Sequence, residues 1–319
     1  MRKVVGLICG SLLLIMIPAK GFPWGSATHA YFAKELGQGK LNSQEIYGAT
    51  VPDLFNLMLD SPYYDYLVDQ THHHYKKLKR KSRRMELDTF AFGFVSHNEH
   101  WGADYTAHQN GLTTQEGYVV TKSKILAPKL RPQLEVIFED AGIQHASMLA
   151  GLLASEIAHP LIETAIDLLI KRNENPYIGL GLFQSAQDRP PSIPDLLVAA
   201  YARDFAHHMK VSKEEAGKMI REAEREFQQM MILYGEILTK EESEAIKELA
   251  DQGTALIEGY IESAIGKEAN IPSEVFIEFI HLAIQQVEED YSQEITATFS
   301  YLQRHKGISR DLKRILKSN

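Results

Sequence analysis

The sequence holds a single cysteine, Cys9. No intrachain disulfide can form and a thiolate-rich zinc site is excluded, so any metal must be held by His, Asp and Glu. Excess positive charge is lacking too. The 34 Lys and Arg against 42 Asp and Glu leave a net charge of −8, which argues against nucleic acid as the partner. Alternating apolar and polar residues, the mark of half-buried strands, are missing at any length, and there is no repeat period. Long apolar runs are scarce. The one read here, Val4 to Ile17, is too short for a transmembrane helix of about 20 residues. Arg2 and Lys3 precede it and Ala19-Lys20-Gly21 follows as a small-x-small pattern, so the segment reads as a signal peptide, residues 1–21. Cleavage after Gly21 would expose Phe22, remove Cys9 and take the net charge to about −11. The expected location is periplasmic or extracellular; the alternative is an uncleaved N-terminal anchor.

What is present is an ordinary globular composition, 44% hydrophobic and 24% charged over 319 residues, enough for one large or two modest domains. The periodicity is helical throughout, and the fold class expected is all-α. Trp24 to Leu36 begins with capping candidates and turns amphipathic. Asp88 to Gln109 reads as one central helix. Ala146 to Lys171 reads as a long helix with a kink at Pro160. Ser212 with Glu215 forms a capping box. After it, Ala216, Met219, Ile220, Ala223, Phe227, Met230 and Tyr234 make a core-facing stripe. Residues 173–194, with four prolines and two glycines, read as a linker. It would join a catalytic region at 22–172 to a helical C-terminal region at 195–319 that packs on or caps the first. Further helices are expected at Glu241 to Ala264, Pro272 to about Tyr301, and in the last dozen residues.

Nine of the 13 histidines lie between His29 and His159. The densest stretch, GFVSHNEHWGADYTAHQ from Gly93 to Gln109, carries His97, His100, Asp104 and His108. On a helix, His100, Asp104 and His108 recur every four residues and share one face, with His97 in the same arc. Imidazole and carboxylate together suit a borderline-soft divalent cation such as zinc. His159 and Glu163 form a second pair four apart, with Glu156 a turn earlier as a possible outer partner. Asp53 and the run His72-His73-His74 add candidates at loop positions. The basic run KKLKRKSRR after Tyr75 reads as solvated surface.

In order, the pieces are Trp-Gly-x3-His, Pro-Asp, Thr-His with aromatics, His-x3-Asp-x3-His and His-x3-Glu. That order, over about Trp24 to Leu168, resembles the zinc-dependent phospholipase C superfamily, which also includes the single-strand zinc nucleases. The central segment is most similar to glycosylphosphatidylinositol-specific phospholipase D and its bacterial relatives, which share the three-residue gap between Asp104 and His108. The resemblance implies two or three zinc ions in a helical cleft. One would be held by Asp53, one of His72 to His74, His100 and Asp104. A second would be held by His108, His159 and Glu163. A third would take the Trp24 main chain, His29 and the other oxygen of Asp104. His97 and His100 compete for one position. His97 has the family context, His100 the helical spacing to Asp104, and the spacing selects His100; Asn98 to His100 then stand as three residues inserted in the simplest match. Among the three consecutive histidines, His72 follows Thr71 and His74 precedes an aromatic, as in different relatives. Phe22 and Pro23 precede Trp24, so the tryptophan site is expected to be weak or missing. Three carboxylates facing three divalent cations would leave about three positive charges, suited to a phosphodiester. The resemblance thus implies an exported zinc phosphodiesterase, phospholipase C-like, attacking a phospholipid with water activated on zinc, with transient contact at a membrane surface. Asp53 is the candidate for orienting or deprotonating the water. The alternatives are a single-strand nuclease and a non-catalytic metal-binding scaffold.

Overall fold

The computed structural model describes residues 25–37, 43–58, 61–266 and 270–305. The apolar N-terminal stretch, Trp24 and the last dozen residues lie outside these. The described residues are all-α, with no strand among them. In chain order the helices are α1 (Ser26–Leu36), α2 (Ser43–Thr50), a 3-10 turn (Val51–Leu57), α3 (Tyr64–His72), α4 (Lys76–Ser82) and α5 (Asp88–His97). A π-helical turn (Tyr105–Gln109), α6 (Tyr118–Asp140), α7 (Ala146–Leu169) and a second π turn (Ile170–Glu174) follow. The described residues continue through α8 (Ile178–Gln187), α9 (Ile193–Met209), α10 (Lys213–Thr239), α11 (Glu242–Ile265), α12 (Ser273–Val287) and α13 (Tyr291–Arg304).

One hydrophobic cluster runs from Ala27 to Leu302. Residues 173–194, read as a linker, contribute to it. They hold α8, whose Ile178, Leu182 and Ala186 are buried in that cluster. The Pro272–Tyr301 stretch is two helices rather than one, parted at Glu288–Asp290. The Ala146–Glu174 helix is long and apolar enough, by length and composition, to cross a membrane, although the sequence reading found no run of that length. With 61% of its apolar window buried inside the protein, it is the core helix of the fold. It continues helical through Pro160.

Two features aim the ligand-bearing elements inward. Helices α2 and α5 cross where Gly48 meets the backbone of Phe90 and Gly93 meets that of Glu45; a Cβ at either glycine would lie 2.2 or 2.1 Å from a carbonyl oxygen. This close approach lets His97, at the end of α5, bond the carbonyl of Ala49 in α2 at 2.7 Å. The second feature is Asp167 of α7. Helix α1 has no capping side chain of its own. Asp167 caps it in trans, accepting from the backbone N–H of Ala27 (2.9 Å) and Thr28 (2.8 Å), the Thr28 hydroxyl (2.6 Å) and the Tyr234 hydroxyl (2.8 Å). The carboxylate satisfies orphan donors and faces the positive end of the helix dipole.

Burial outweighs those four hydrogen bonds and pushes the Asp167 carboxyl up to about 6. The folded protein then holds this proton more tightly than the unfolded chain does. The stability it lends is complete below about pH 4 and is lost as pH rises through about 6. The advantage of the native protein over Asp167→Asn should shrink by about 1.4 kcal/mol per pH unit across that window. Urea unfolding of both metal-free proteins at pH 4, 5, 6 and 7 reads it directly; a constant difference would contradict the assignment.

Candidate metal centre

Five segments converge on one buried polar region. The 3-10 turn supplies Asp53, held by a hydrogen bond from Asn56 Nδ2 to its Oδ1 at 2.8 Å. The Thr71 hydroxyl donates to the Pro52 carbonyl at 2.7 Å, tying the end of α3 to that turn and setting His72 beside Asp53. Helix α5 supplies His97, α1 supplies His29, and Asp104 opens the π turn. All five side chains are buried, His97 and Asp104 completely.

The contacts among them are too close for unshared lone pairs. His72 Nδ1 lies 2.9 Å from the Val68 carbonyl and His97 Nδ1 2.7 Å from that of Ala49. A carbonyl can only accept, so each Nδ1 carries the proton and each neutral ring offers a bare Nε2. These two Nε2 atoms face one another at 3.3 Å. Asp53 Oδ1 stands 3.3 Å from that of His72, and Asp104 Oδ2 2.7 Å from that of His97. The other oxygen of Asp104, Oδ1, meets His29 Nε2 at 3.1 Å, and the His29 ring stacks on His97 at 4.0 Å. His29 Nε2 and both Asp104 oxygens are buried with no hydrogen bond. Only protons or a cation can sit among such groups. Zinc bonds of about 2.0–2.1 Å in a tetrahedron place ligand atoms about 3.3 Å apart, which is the separation of the two imidazole nitrogens. Two overlapping sets, His29–His97–Asp104 and Asp53–His72–His97, could each hold a metal ion.

A third set, His108, His159 and Glu163, meets the same test. The two imidazole Nε2 atoms are 3.3 Å apart, and His159 Nε2 is 2.9 Å from Glu163 Oε1. His159 and Glu163 lie on one face of α7, two turns and one turn before Asp167. His108 comes from the π turn.

The electrostatics point the same way. Burial, then the Glu99 charge, pushes the Asp104 carboxyl well up; burial, then Asp53 and Asp167, does so for Glu163. Burial, then the neighbouring His97 and His72, pushes His29 well down, and burial lowers His97. His72 is raised: burial opposes its proton, and Asp53 and Asp104 overcome that. Carboxyls that resist ionising beside imidazoles that resist protonating describe a site short of positive charge. A divalent cation removes both penalties.

The structure separates the sequence candidates. His29, Asp53, His72, His97 and Asp104 come together at one pole; His108, His159 and Glu163 at the other. His100, selected on helical spacing, is exposed and packs edge-on to His73 at 5.0 Å. The helix expected from Asp88 to Gln109 stops at His97, and Asn98 Oδ1 accepts the backbone N–H of His100 (2.9 Å) and Trp101 (3.1 Å). That turn swings His100 outward and leaves His97 at the buried position. His74 is exposed and pairs with Asp69 at 3.3 Å, outside the cluster. Trp24 lies outside the described residues. The sequence reading omitted Glu99, whose Oε1 pairs with His108 Nδ1. Burial opposes its ionisation, but the charge of His108 prevails and holds its carboxyl down at about 2. Its only signal was an acid inside the densest histidine stretch.

His97→Ala should cost at least one bound metal ion per chain and His100→Ala none, measured by elemental analysis after gel filtration in buffered zinc. Equal losses would return His100 to the ligand set. No family model, no curated protein and no solved structure matches this chain.

Proposed function

We propose that the protein is a metal-dependent phosphodiesterase of the phospholipase C type, with zinc as its metal and a phospholipid as its substrate. The observation that carries this reading is the shared carboxylate. Asp104 turns one oxygen to His29 and the other to His72 and His97, the arrangement of a bridge between two cations. The order of motifs supports the family; the chemistry of the donors, nitrogen and oxygen without sulfur, supports zinc.

A cleft of about 500 Å³ lies against the site, lined among others by Tyr64, His72, Glu99, His108 and His159, a size that admits a small ligand or headgroup. It shares Val120 and His159 with a second groove of about 550 Å³ that runs between α6 and α7 to Arg131 and Gly151. The pair supports a substrate longer than the phosphodiester alone. Glu99 is a fourth carboxylate beside Asp53, Asp104 and Glu163. Four carboxylates against three divalent cations leave two positive charges, one fewer than three carboxylates would, and still suited to an anionic phosphodiester.

Bound cations there would polarise the phosphoryl oxygens and lower the pKa of water to roughly 7. The chain's own groups do the rest. Asp53, buried and oriented by Asn56, accepts a hydrogen bond from the attacking water or takes its proton. His159 and Glu163 fix the far pole, and Tyr64 and Val68 wall the cleft against bulk solvent. The N-terminal apolar stretch supports action outside the cytoplasm.

Asp53→Asn should lower kcat on bis(p-nitrophenyl) phosphate by about 10²- to 10⁴-fold, with helical circular dichroism unchanged. Full activity would remove Asp53 from the mechanism. Hydrolysis of single-stranded DNA without hydrolysis of phospholipid vesicles would replace the substrate assigned here. Metal-loaded protein that cleaves neither would favour a scaffold.

A further inference from the structure

Glu99 sits in the turn between α5 and the π turn. The turn brings it back over the cleft: its backbone N–H reaches the His72 carbonyl at 3.4 Å. Its side chain is 11% exposed, between the two poles of the site. Oε1 pairs with His108 Nδ1, and Oε2 is buried with no hydrogen bond.

The consequence lies on the opposite side of the imidazole. A carboxylate can only accept, so His108 Nδ1 keeps its proton, and Nε2 is the nitrogen that gives up its proton when a cation binds. That Nε2 points at His159 Nε2, 3.3 Å away, with Glu163 Oε1 beyond. An outer carboxylate that fixes the tautomer and rotation of a ligand imidazole also raises its basicity toward the metal. His72 and His97 are oriented by neutral carbonyls instead. His108 alone among these three has a charged outer partner.

We infer that Glu99 is a positioning residue of the His108–His159–Glu163 centre: it holds His108 so that Nε2 is offered to the cation, and the affinity of that centre depends on it. This rests on the reading of that triad as a metal centre. A surface ion pair of the same geometry would contribute nothing to metal binding, and the two cases separate in a metal titration that needs no catalytic activity.

The experiment is equilibrium dialysis of the full-length protein against buffered free zinc for the native chain, Glu99→Gln, Glu99→Ala, His159→Ala and the double variant Glu99→Gln/His159→Ala. His159→Ala should remove one ion. Glu99→Gln should weaken one ion, and only one, by about 10- to 100-fold. Glu99→Ala should weaken it at least as much. In the His159→Ala background, Glu99→Gln should change nothing further, because the ion it serves is already gone. Glutamine is nearly isosteric, so a folding failure of the alanine variant leaves the glutamine result decisive. An ion that depends on His159 but binds normally in Glu99→Gln and Glu99→Ala overturns the role of Glu99 alone. An additional loss in the double variant places Glu99 at the other pole and also overturns it. A count indifferent to His159→Ala removes the centre, and with it any role for Glu99.

Discussion

A carboxylate buried to zero exposure between three imidazoles is the constraint that the rest of this structure answers to. Asp104 has no hydrogen-bond donor for either oxygen, and burial, with the Glu99 charge behind it, drives its carboxyl well above its usual range. Leaving such a group unpaired in an apolar interior costs several kcal/mol. His72 and His97 are pinned through Nδ1 by the Val68 and Ala49 carbonyls, and His29 is carried on α1, which Asp167 caps. The α2–α5 crossing serves that pinning.

The C-terminal helices enter the argument at the same place. They carry none of the ligands, yet they hold the segment that does. Buried Glu294 of α13 accepts from the backbone N–H of Leu112 (2.8 Å) and Thr113 (2.6 Å), just after the π turn. Thr298 bonds Thr106 at 3.0 Å, within that turn, and Tyr301 stacks on Tyr105. His305 stacks on Trp101 at 3.9 Å, over the turn that carries Glu99. From α10, Tyr234 completes the Asp167 cap on α1. A π turn is a strained insertion in a helical path and needs such outside support. The second half of the chain is thus a clamp on the ligand loop, and the continuous core follows from that use.

The sequence disclosed the helical class, because periodicity survives without knowledge of packing. It also disclosed the capping box, where Ser212 Oγ accepts from Glu215 N at 3.0 Å. The Ala216–Tyr234 stripe turned out to be mostly core, with Ala216, Ile220, Ala223 and Phe227 buried and Tyr234 part-buried on it. It disclosed most of the ligand types but misplaced one. Fourfold spacing favoured His100 only on the premise of an unbroken helix, and Asn98, a side chain that competes with helical hydrogen bonds, breaks it. The helix within 173–194 was hidden for a different reason. Gly179 is not a flexible joint there; it packs against Gly235 and Leu238 of α10 so tightly that a Cβ would lie 2.7 Å from the Leu238 backbone. Glycine for close approach and glycine for a loop look alike in one dimension. Glu99 was overlooked because its partner lies nine residues on, across a turn that no period describes.

These errors share a cause that bears on function. Regular spacing predicts ligands on one face of one helix, whereas here the ligand segment is a helix end, a turn and a π turn. That irregularity sends His97 and Asp104 to one pole and His108 to the other, eleven residues apart in sequence yet serving different centres. A regular helix would have set His97 and Asp104, seven residues apart, about 10.5 Å from one another along its axis; the break brings their side chains to 2.7 Å. Under the proposed function, two poles on one cleft would suit a phosphodiester, since attacking and leaving oxygens lie on opposite sides of phosphorus in an in-line displacement. The departure from helical regularity is therefore the structural device that turns a histidine-rich stretch into a site with two ends.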